Sequence, residues 1–238
     1  MNLLLLQQTD MRSASLAVIR GRQLQHLQDT LKLAIGDSLT VGLLNESIGR
    51  GKISALSATE AEIQIDWLHA PPKALPVTLI IALPRPKMLK RIIQTATTMG
   101  VKTIYFINAW KVEKSYWQSP WLSHEKLLEN CILGLEQGKD TVLPEIHQVK
   151  LFKPFVEDRL ATIAEGSRKL LAHPGVEHAC PIDIQEQTTL VIGPEGGFTP
   201  YEVDKLLSIG FEGVHLGERI LRVETAVPVL LARLFCWL

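Results

Sequence analysis

Two glycine-marked segments near the C-terminus carry the residues best suited to chemistry. They are Val191-Ile-Gly-Pro-Glu-Gly-Gly-Phe198 and Leu216-Gly-Glu-Arg-Ile-Leu-Arg-Val-Glu-Thr-Ala226. Glycine lets the backbone take positive φ and lets a ligand approach main-chain N–H and C=O groups closely. In the first segment an apolar strand, Thr189–Ile192, breaks into Gly193-Pro-Glu-Gly-Gly197. The second ends a strand at Gly217 and carries Arg219, Arg222 and Glu224 towards a helix. Loops paired in this way build a pocket at the carboxyl ends of neighbouring strands, where open α/β sheets bind ligands. Neither segment is a Walker phosphate loop, because the chain has no Gly-Lys-Ser/Thr ending. The spacing also fails the dinucleotide pattern Gly-x-Gly-x-x-Gly.

The elements that must hold these loops are legible around them. Thr199-Pro-Tyr-Glu202 is a capping box, with Thr199 as N-cap, Pro200 at the first helical position and Glu202 reaching back. Thr225 is expected to cap the last helix, with Pro228 tolerated inside the first turn, where its missing N–H would lack a partner. Upstream, Val77–Leu83 reads as a continuous apolar strand and Pro86–Met99 as an amphipathic helix stopped by Gly100. Lys102–Asn108, Lys169–Ala172 and Val214–Leu216 are further strands, and Ser123 caps a helix through Leu135. Apolar strands separated by helices indicate a parallel sheet covered on both faces.

Before residue 70 the pattern differs. Leu3–Leu6, Leu16–Ile19, Ser38–Leu44, Gly51–Leu56 and Glu62–Leu68 are short strand-like runs bounded by turn residues. They suggest a small β-barrel, interrupted by a helix from Arg22 to Leu33. Ala70-Pro-Pro-Lys-Ala-Leu-Pro76 is the linker, since prolines exclude both helix interior and sheet ladder. The expected division is a barrel over 1–70, a linker over 71–76 and an α/β domain over 77–238.

Composition narrows the class. The 238 residues are 46% hydrophobic and 21% charged, as expected of a globular protein. No apolar run approaches the ~20 residues of a membrane helix. Cys131, Cys180 and Cys236 are scattered and odd in number, which fits a reducing cytoplasm and neither a disulfide framework nor a metal site. The formal net charge of zero argues against coating nucleic acid by charge alone. Residues 76–120 nevertheless hold Arg85, Lys87, Lys90, Arg91, Lys102, Lys111 and Lys114 against the single acid Glu113. This basic stretch either engages phosphate or is a solvated helix face. Trp110, Trp117 and Trp121 lie close to it and either stack bases or serve packing. His173 sits beside a pocket loop, whereas His26, His69, His124, His147, His178 and His215 are read as surface or packing residues.

The two C-terminal segments together resemble the RsmE-type 16S ribosomal RNA uridine-N3 methyltransferases of the SPOUT superfamily. Weaker matches extend the resemblance over most of the chain. They are Gln25-His26-Leu27, Ile35-Gly36-Asp37, Ile92-Ile-Gln94, Gly100-Val101, Glu136-Gln137 and Leu143-Pro-Glu-Ile146. The resemblance implies an α/β domain tied into a C-terminal trefoil knot with a parallel sheet, preceded by a PUA-like β-barrel that helps to bind RNA. It implies S-adenosylmethionine bound in the knot and a homodimer acting on ribosomal RNA or the small subunit, with no metal and no membrane. Carried over by position, the cofactor-binding residues are Leu171, His173, Ile192, Gly193, Glu195, Gly196, Gly197, Leu216, Gly217, Ile220, Leu221, Arg222 and Thr225. Candidate RNA contacts are Arg22, Arg85, Lys87, Lys90 and Arg91.

Arg222 and Glu224 are the candidate catalytic residues. Uridine N3 is a poor nucleophile until its proton is lost, so the site must stabilise negative charge on the base or offer a proton acceptor. Arg222 either supplies that charge as a fixed cation or pairs with Glu224 or Glu195 to hold the knot. Glu195 is read as an organiser of loop amides in preference to a base. The chain departs from the family where RNA should be held. Thr95 and Thr98 replace a Lys and a Glu, Asp140 and Val142 stand at positions that are usually basic, and Ala109-Trp-Lys-Val-Glu-Lys114 replaces a Glu-Arg-Ser segment. A relative with a different RNA target, or a non-catalytic assembly factor that keeps the knot as scaffold, are the alternatives.

Overall fold

A computed structural model describes residues 2–236, and the outermost residues of the two expected domains lie outside it. The chain divides into two compact units, one of residues 1–73 with 132–143 and one of 74–131 with 144–238.

The first unit is a curled six-stranded sheet. Its strands are β1 (Leu4–Leu6), β2 (Met11–Ser13), β3 (Leu16–Ile19), β4 (Ser38–Leu43), β5 (Ile48–Leu56) and β6 (Ala61–His69), and helix α1 (Gly21–Gln25) follows β3. The order is β1-β4-β5-β6-β3-β2, with β1 parallel to β4 and the other pairs antiparallel. β6 alternates as its sequence requires, burying Ile63 and Ile65 against Leu6, Ile19, Val41 and Ile53. The helix expected to Leu33 is instead the single turn α1 followed by a π-helical turn, His26–Thr30. Lys32 at φ +51 ends it, a left-handed residue that no α-helix continues through.

The second unit opens with β7 (Val77–Ala82), α2 (Pro86–Thr98), β8 (Thr103–Ile107) and α3 (His124–Gly138). Then come β9 (Glu145–Val149), the short helices α4 (Phe152–Phe155) and α5 (Ala161–Ile163), β10 (Arg168–Ala172) and β11 (His178–Ala179). β12 (Thr188–Ile192), α6 (Pro200–Ser208), β13 (Glu212–His215) and α7 (Val223–Leu234) complete it. The sheet is wholly parallel, in the order β11-β13-β10-β12-β7-β8-β9. Its middle strand, β12, is buried from end to end, the pattern of a strand covered on both faces of the sheet. β10 lies between β12 and β13, so the carboxyl ends of all three converge.

Residues 132–143 belong with the first unit rather than with the sheet that surrounds them in sequence. The cause is apolar: Leu135 is fully buried with Leu3, Leu5 and Ile48. The main-chain N–H groups of Asn2 and Leu3 both donate to the Glu136 carbonyl, at 3.0 and 3.1 Å.

Candidate functional site

The site is built where β10, β12 and β13 end. A cavity of about 330 Å³ lies there. Its wall is formed by Ala172–Pro174 after β10, Ile192–Phe198 after β12, and Val214–Gly217 with Arg219–Leu221 around and after β13. Val223, Ala226 and Leu230 of α7 close it.

Each loop is held by a specific bond. The turn after β12 is closed by Gly197 N–H donating to the Pro194 carbonyl at 2.7 Å, and Gly197 leaves it at φ +71. Gly217 takes φ +109 and donates its N–H to His215 Nδ1 at 2.9 Å. That bond makes Nδ1 the acceptor, so a neutral His215 carries its proton on Nε2. Gly193 has a different reason to lack a side chain: a Cβ there would lie 3.0 Å from the Phe198 ring. At Gly196 the Lys111 side chain occupies the space, with a Cβ 2.9 Å from its Cδ, and Lys111 Nζ donates to the Gly196 carbonyl at 2.7 Å. These glycines thus admit a turn, a ring and a lysine stem.

The capping box expected at α6 is present. Thr199 Oγ1 accepts from Glu202 N–H at 3.3 Å, and Thr199 N–H donates to Glu202 Oε2 at 2.8 Å. Glu202 is 3% exposed, and its second oxygen accepts from Trp110 N–H at 2.7 Å. One buried carboxylate therefore joins the turn after β8 to the loop after β12.

The cap expected at α7 is not there. The helix begins at Val223 with Arg222 as N-cap, and no side chain caps it. Thr225 lies in the first turn, its N–H donating to the Arg222 carbonyl at 2.9 Å. Pro228 consequently falls inside the helix rather than in its first turn. Its ring removes the bond that an N–H would have made to Glu224 C=O.

Ten of the thirteen expected cofactor residues line the cavity: His173, Ile192, Gly193, Glu195, Gly196, Gly197, Leu216, Gly217, Ile220 and Leu221. Leu171, Arg222 and Thr225 do not. Leu171 is fully buried in the sheet, and Ala172 and His173 take its place at the wall. Val223, Ala226 and Leu230 face the cavity at spacing i, i+3, i+7, which turns Glu224 and Thr225 off that face. That spacing was the available signal for three wall residues the motif reading missed. His215, expected at the surface or in packing, is a wall residue. Burial and the nearby Lys111 ammonium hold the His173 imidazole below its ordinary pKa.

The charged candidates separate into paired and unpaired. Arg85 Nε meets Glu195 Oε2 at 2.6 Å, so Glu195 is tied to a side chain expected to hold RNA. Arg22 forms a forked pair with Glu136, at 3.0 and 2.7 Å, and Glu136 is 2% exposed. Arg222 is exposed and makes no ion pair with Glu224 or Glu195 among the described residues. Lys87, Lys90 and Arg91 are exposed along α2, with Lys90 Nζ 5.8 Å from the Trp121 ring centre. Asp140, expected to face RNA, is 4% exposed and accepts Val142 N–H at 3.0 Å, which makes it a loop former. No cluster of three His, Cys, Asp or Glu side chains suited to a metal occurs among the described residues. No helix of theirs is long and apolar enough to cross a membrane.

Comparison with known proteins agrees with this architecture. The family described as RNA methyltransferase domain matches residues 71–235. The ribosomal RNA small subunit methyltransferase E of Treponema pallidum is 27% identical, over all of this chain and 93% of that protein. Its Synechocystis namesake is 29% identical, over 89% of this chain and 70% of its own length. A Legionella pneumophila protein solved with the cofactor SAM superposes with a TM-score of 0.75 at 22% identity, covering 97% of this chain and 95% of its own. The Neisseria gonorrhoeae ribosomal RNA small subunit methyltransferase E, bound to S-adenosyl methionine, gives 0.74 at 20% identity, covering 98% and 95%. With a parallel sheet, a glycine-walled cavity at its strand ends and a family match over most of its length, the chain belongs to the RNA methyltransferase domain family.

Proposed function

We propose that the protein is an S-adenosylmethionine-dependent methyltransferase of small-subunit ribosomal RNA, acting at N3 of a uridine. The observation that carries this reading is the cavity at the ends of β10, β12 and β13, whose wall joins both glycine-marked segments. The names of the full-length relatives support the RNA class and the small-subunit target.

The residues present fit the cofactor. The cavity lies in the size range of ordinary small-molecule sites, ~300–1,000 Å³. Ile192, Leu216, Leu221 and Leu230 offer apolar contact to a flat ring, and the glycine loops offer main-chain groups at its edge. When bound, S-adenosylmethionine supplies a methyl group activated for displacement. The chain's own task is then positioning and charge stabilisation. Arg222 ends the loop that walls the cavity and presents a planar guanidinium there. A guanidinium there stabilises the negative charge that uracil acquires as N3 loses its proton. Glu224, one residue into α7, is the nearest carboxylate in sequence to that arginine and is the candidate proton acceptor.

The trefoil knot belongs to the same reading. Its support is the position of β10 between β12 and β13 and the packing of α7 on α2. A PUA-like role for the first unit, a homodimer and a cytoplasmic site of action are part of it too. The test is transfer of labelled methyl to small ribosomal subunits from a strain lacking this gene, followed by identification of the nucleoside. N3-methyluridine in 16S RNA is the expected product. A protein that neither transfers methyl nor binds the cofactor by calorimetry would defeat the reading. A different methylated nucleoside would keep the donor and change the acceptor.

A further inference from the structure

We propose that Trp110 is a platform on which an unpaired base of the RNA stacks, at the rim of the cofactor cavity. The proposal rests on the RNA methyltransferase reading above and names a contact that would hold the acceptor strand.

The local geometry presents this indole outward. Ala109 and Val112 are buried, and Val112 N–H donates to the Ala109 carbonyl at 3.0 Å. The turn so closed has Trp110 and Lys111 as its two central residues, and both point away from the core. Trp110 is 83% exposed, more than any other large hydrophobic side chain among the described residues. Its backbone is nonetheless pinned, by its N–H to the buried Glu202 and by Lys111 Nζ to the Gly196 carbonyl. Gly196 is a wall residue of the cavity, so the turn is tethered to that wall. A rigid aromatic on a fixed backbone has only two side-chain torsions left to lose when it binds.

The other tryptophans of the basic stretch are already engaged. Trp117 is half-buried and donates its indole N–H to Asn108 Oδ1 at 2.9 Å. Trp121 has the ammonium groups of Lys90 and Lys126 each 5.8 Å from its ring. The Trp110 ring makes no ring contact, cation–π contact or hydrogen bond among the described residues.

Charge selects the occupant. Lys111 adjoins the indole in the turn, and Arg85 meets Glu195, the residue next to Gly196. Both cations can exchange their present partners for phosphate oxygens. An aromatic face flanked by cations suits a nucleic acid strand, with bases on the ring and backbone on the charges. Bases in a duplex are stacked on one another, so the strand must be single or locally opened.

The experiment compares wild type, W110A and W110F. It measures binding of a single-stranded oligouridylate and of a fully paired RNA duplex, with tryptophan emission followed during titration. Cofactor affinity is measured by calorimetry and mass in solution by light scattering. The expected result is about tenfold weaker single-strand binding in W110A, near-normal binding in W110F with a smaller emission change, and unaltered cofactor affinity and mass. Equal binding by W110A and wild type would overturn the proposal, as would equal losses in both variants. A fall in mass accompanying the loss would overturn it too, since the indole would then be covered by a second copy of the chain. If wild type binds the cofactor but neither RNA, this contact falls while the methyl-donor reading stands; if it binds neither cofactor nor RNA, both fall.

Discussion

At the scale of single residues, the glycines of the two motifs are not interchangeable. Gly197 and Gly217 need positive φ, whereas Gly193 and Gly196 need room for Phe198 and Lys111. Gly197→Ala should therefore lower stability by about 1 kcal/mol through left-handed strain alone, seen as a reduced midpoint in urea. Gly196→Val should act differently. Its side chain meets a flexible lysine stem rather than backbone, so the fold should survive while the loop shifts and cofactor affinity falls by calorimetry. Arg222 makes no ion pair among the described residues that would tie it to the framework. Arg222→Ala should then leave the melting temperature and cofactor affinity near wild type and lower methyl transfer by about a hundredfold, the scale of one transition-state contact. Unchanged turnover in that variant would assign the charge stabilisation elsewhere.

At the scale of elements, one buried carboxylate organises the site. Glu202 caps α6 through Thr199 and receives the Trp110 N–H, so the loop after β12 and the turn after β8 depend on the same side chain. Glu202→Ala leaves two main-chain donors without it and should cost about 2 kcal/mol, more than the ~1 kcal/mol of Thr199→Ala. Equal costs in a denaturant titration would mean that the link to Trp110 adds nothing. The first unit has a parallel case. Glu136 is buried beneath the forked guanidinium of Arg22, so Arg22→Ala should cost about 2 kcal/mol by stranding that carboxylate. An RNA contact alone would reduce RNA binding without any shift in unfolding.

At the scale of the whole molecule, the three thiols report on the folded state. Burial pushes Cys131 and Cys180 each up to about 11 from an ordinary 9.0, whereas Cys236 is exposed. Thiol reagent at mildly alkaline pH should label Cys236 quickly and the other two only on unfolding, which mass spectrometry resolves. A raised thiol pKa means that the fold favours the protonated form. The stability from these groups is complete below pH 9.0 and is lost as pH rises towards about 11. Unfolding midpoints should fall across that window.

Much of this was open to reading in the sequence, because local rules govern it. Apolar continuity marked the parallel strands, and Thr199 with Glu202 marked the start of α6. Ten of the residues that the family resemblance implied for the cofactor lie in the cavity wall, most of them in the two glycine-marked segments, since a strand that ends in glycine must turn at once. What only the tertiary structure decided depends on partners distant in sequence. Leu135 and Glu136 join the first unit because Leu3, Leu5, Ile48 and Arg22 complete their burial. Val223, Ala226 and Leu230 became cavity wall because α7 starts three residues earlier than its threonine suggested. Asp140 turned inward to close its own loop. Trp110 was left outside, its backbone held by Glu202 from ninety-two positions away, a pairing that no local pattern encodes.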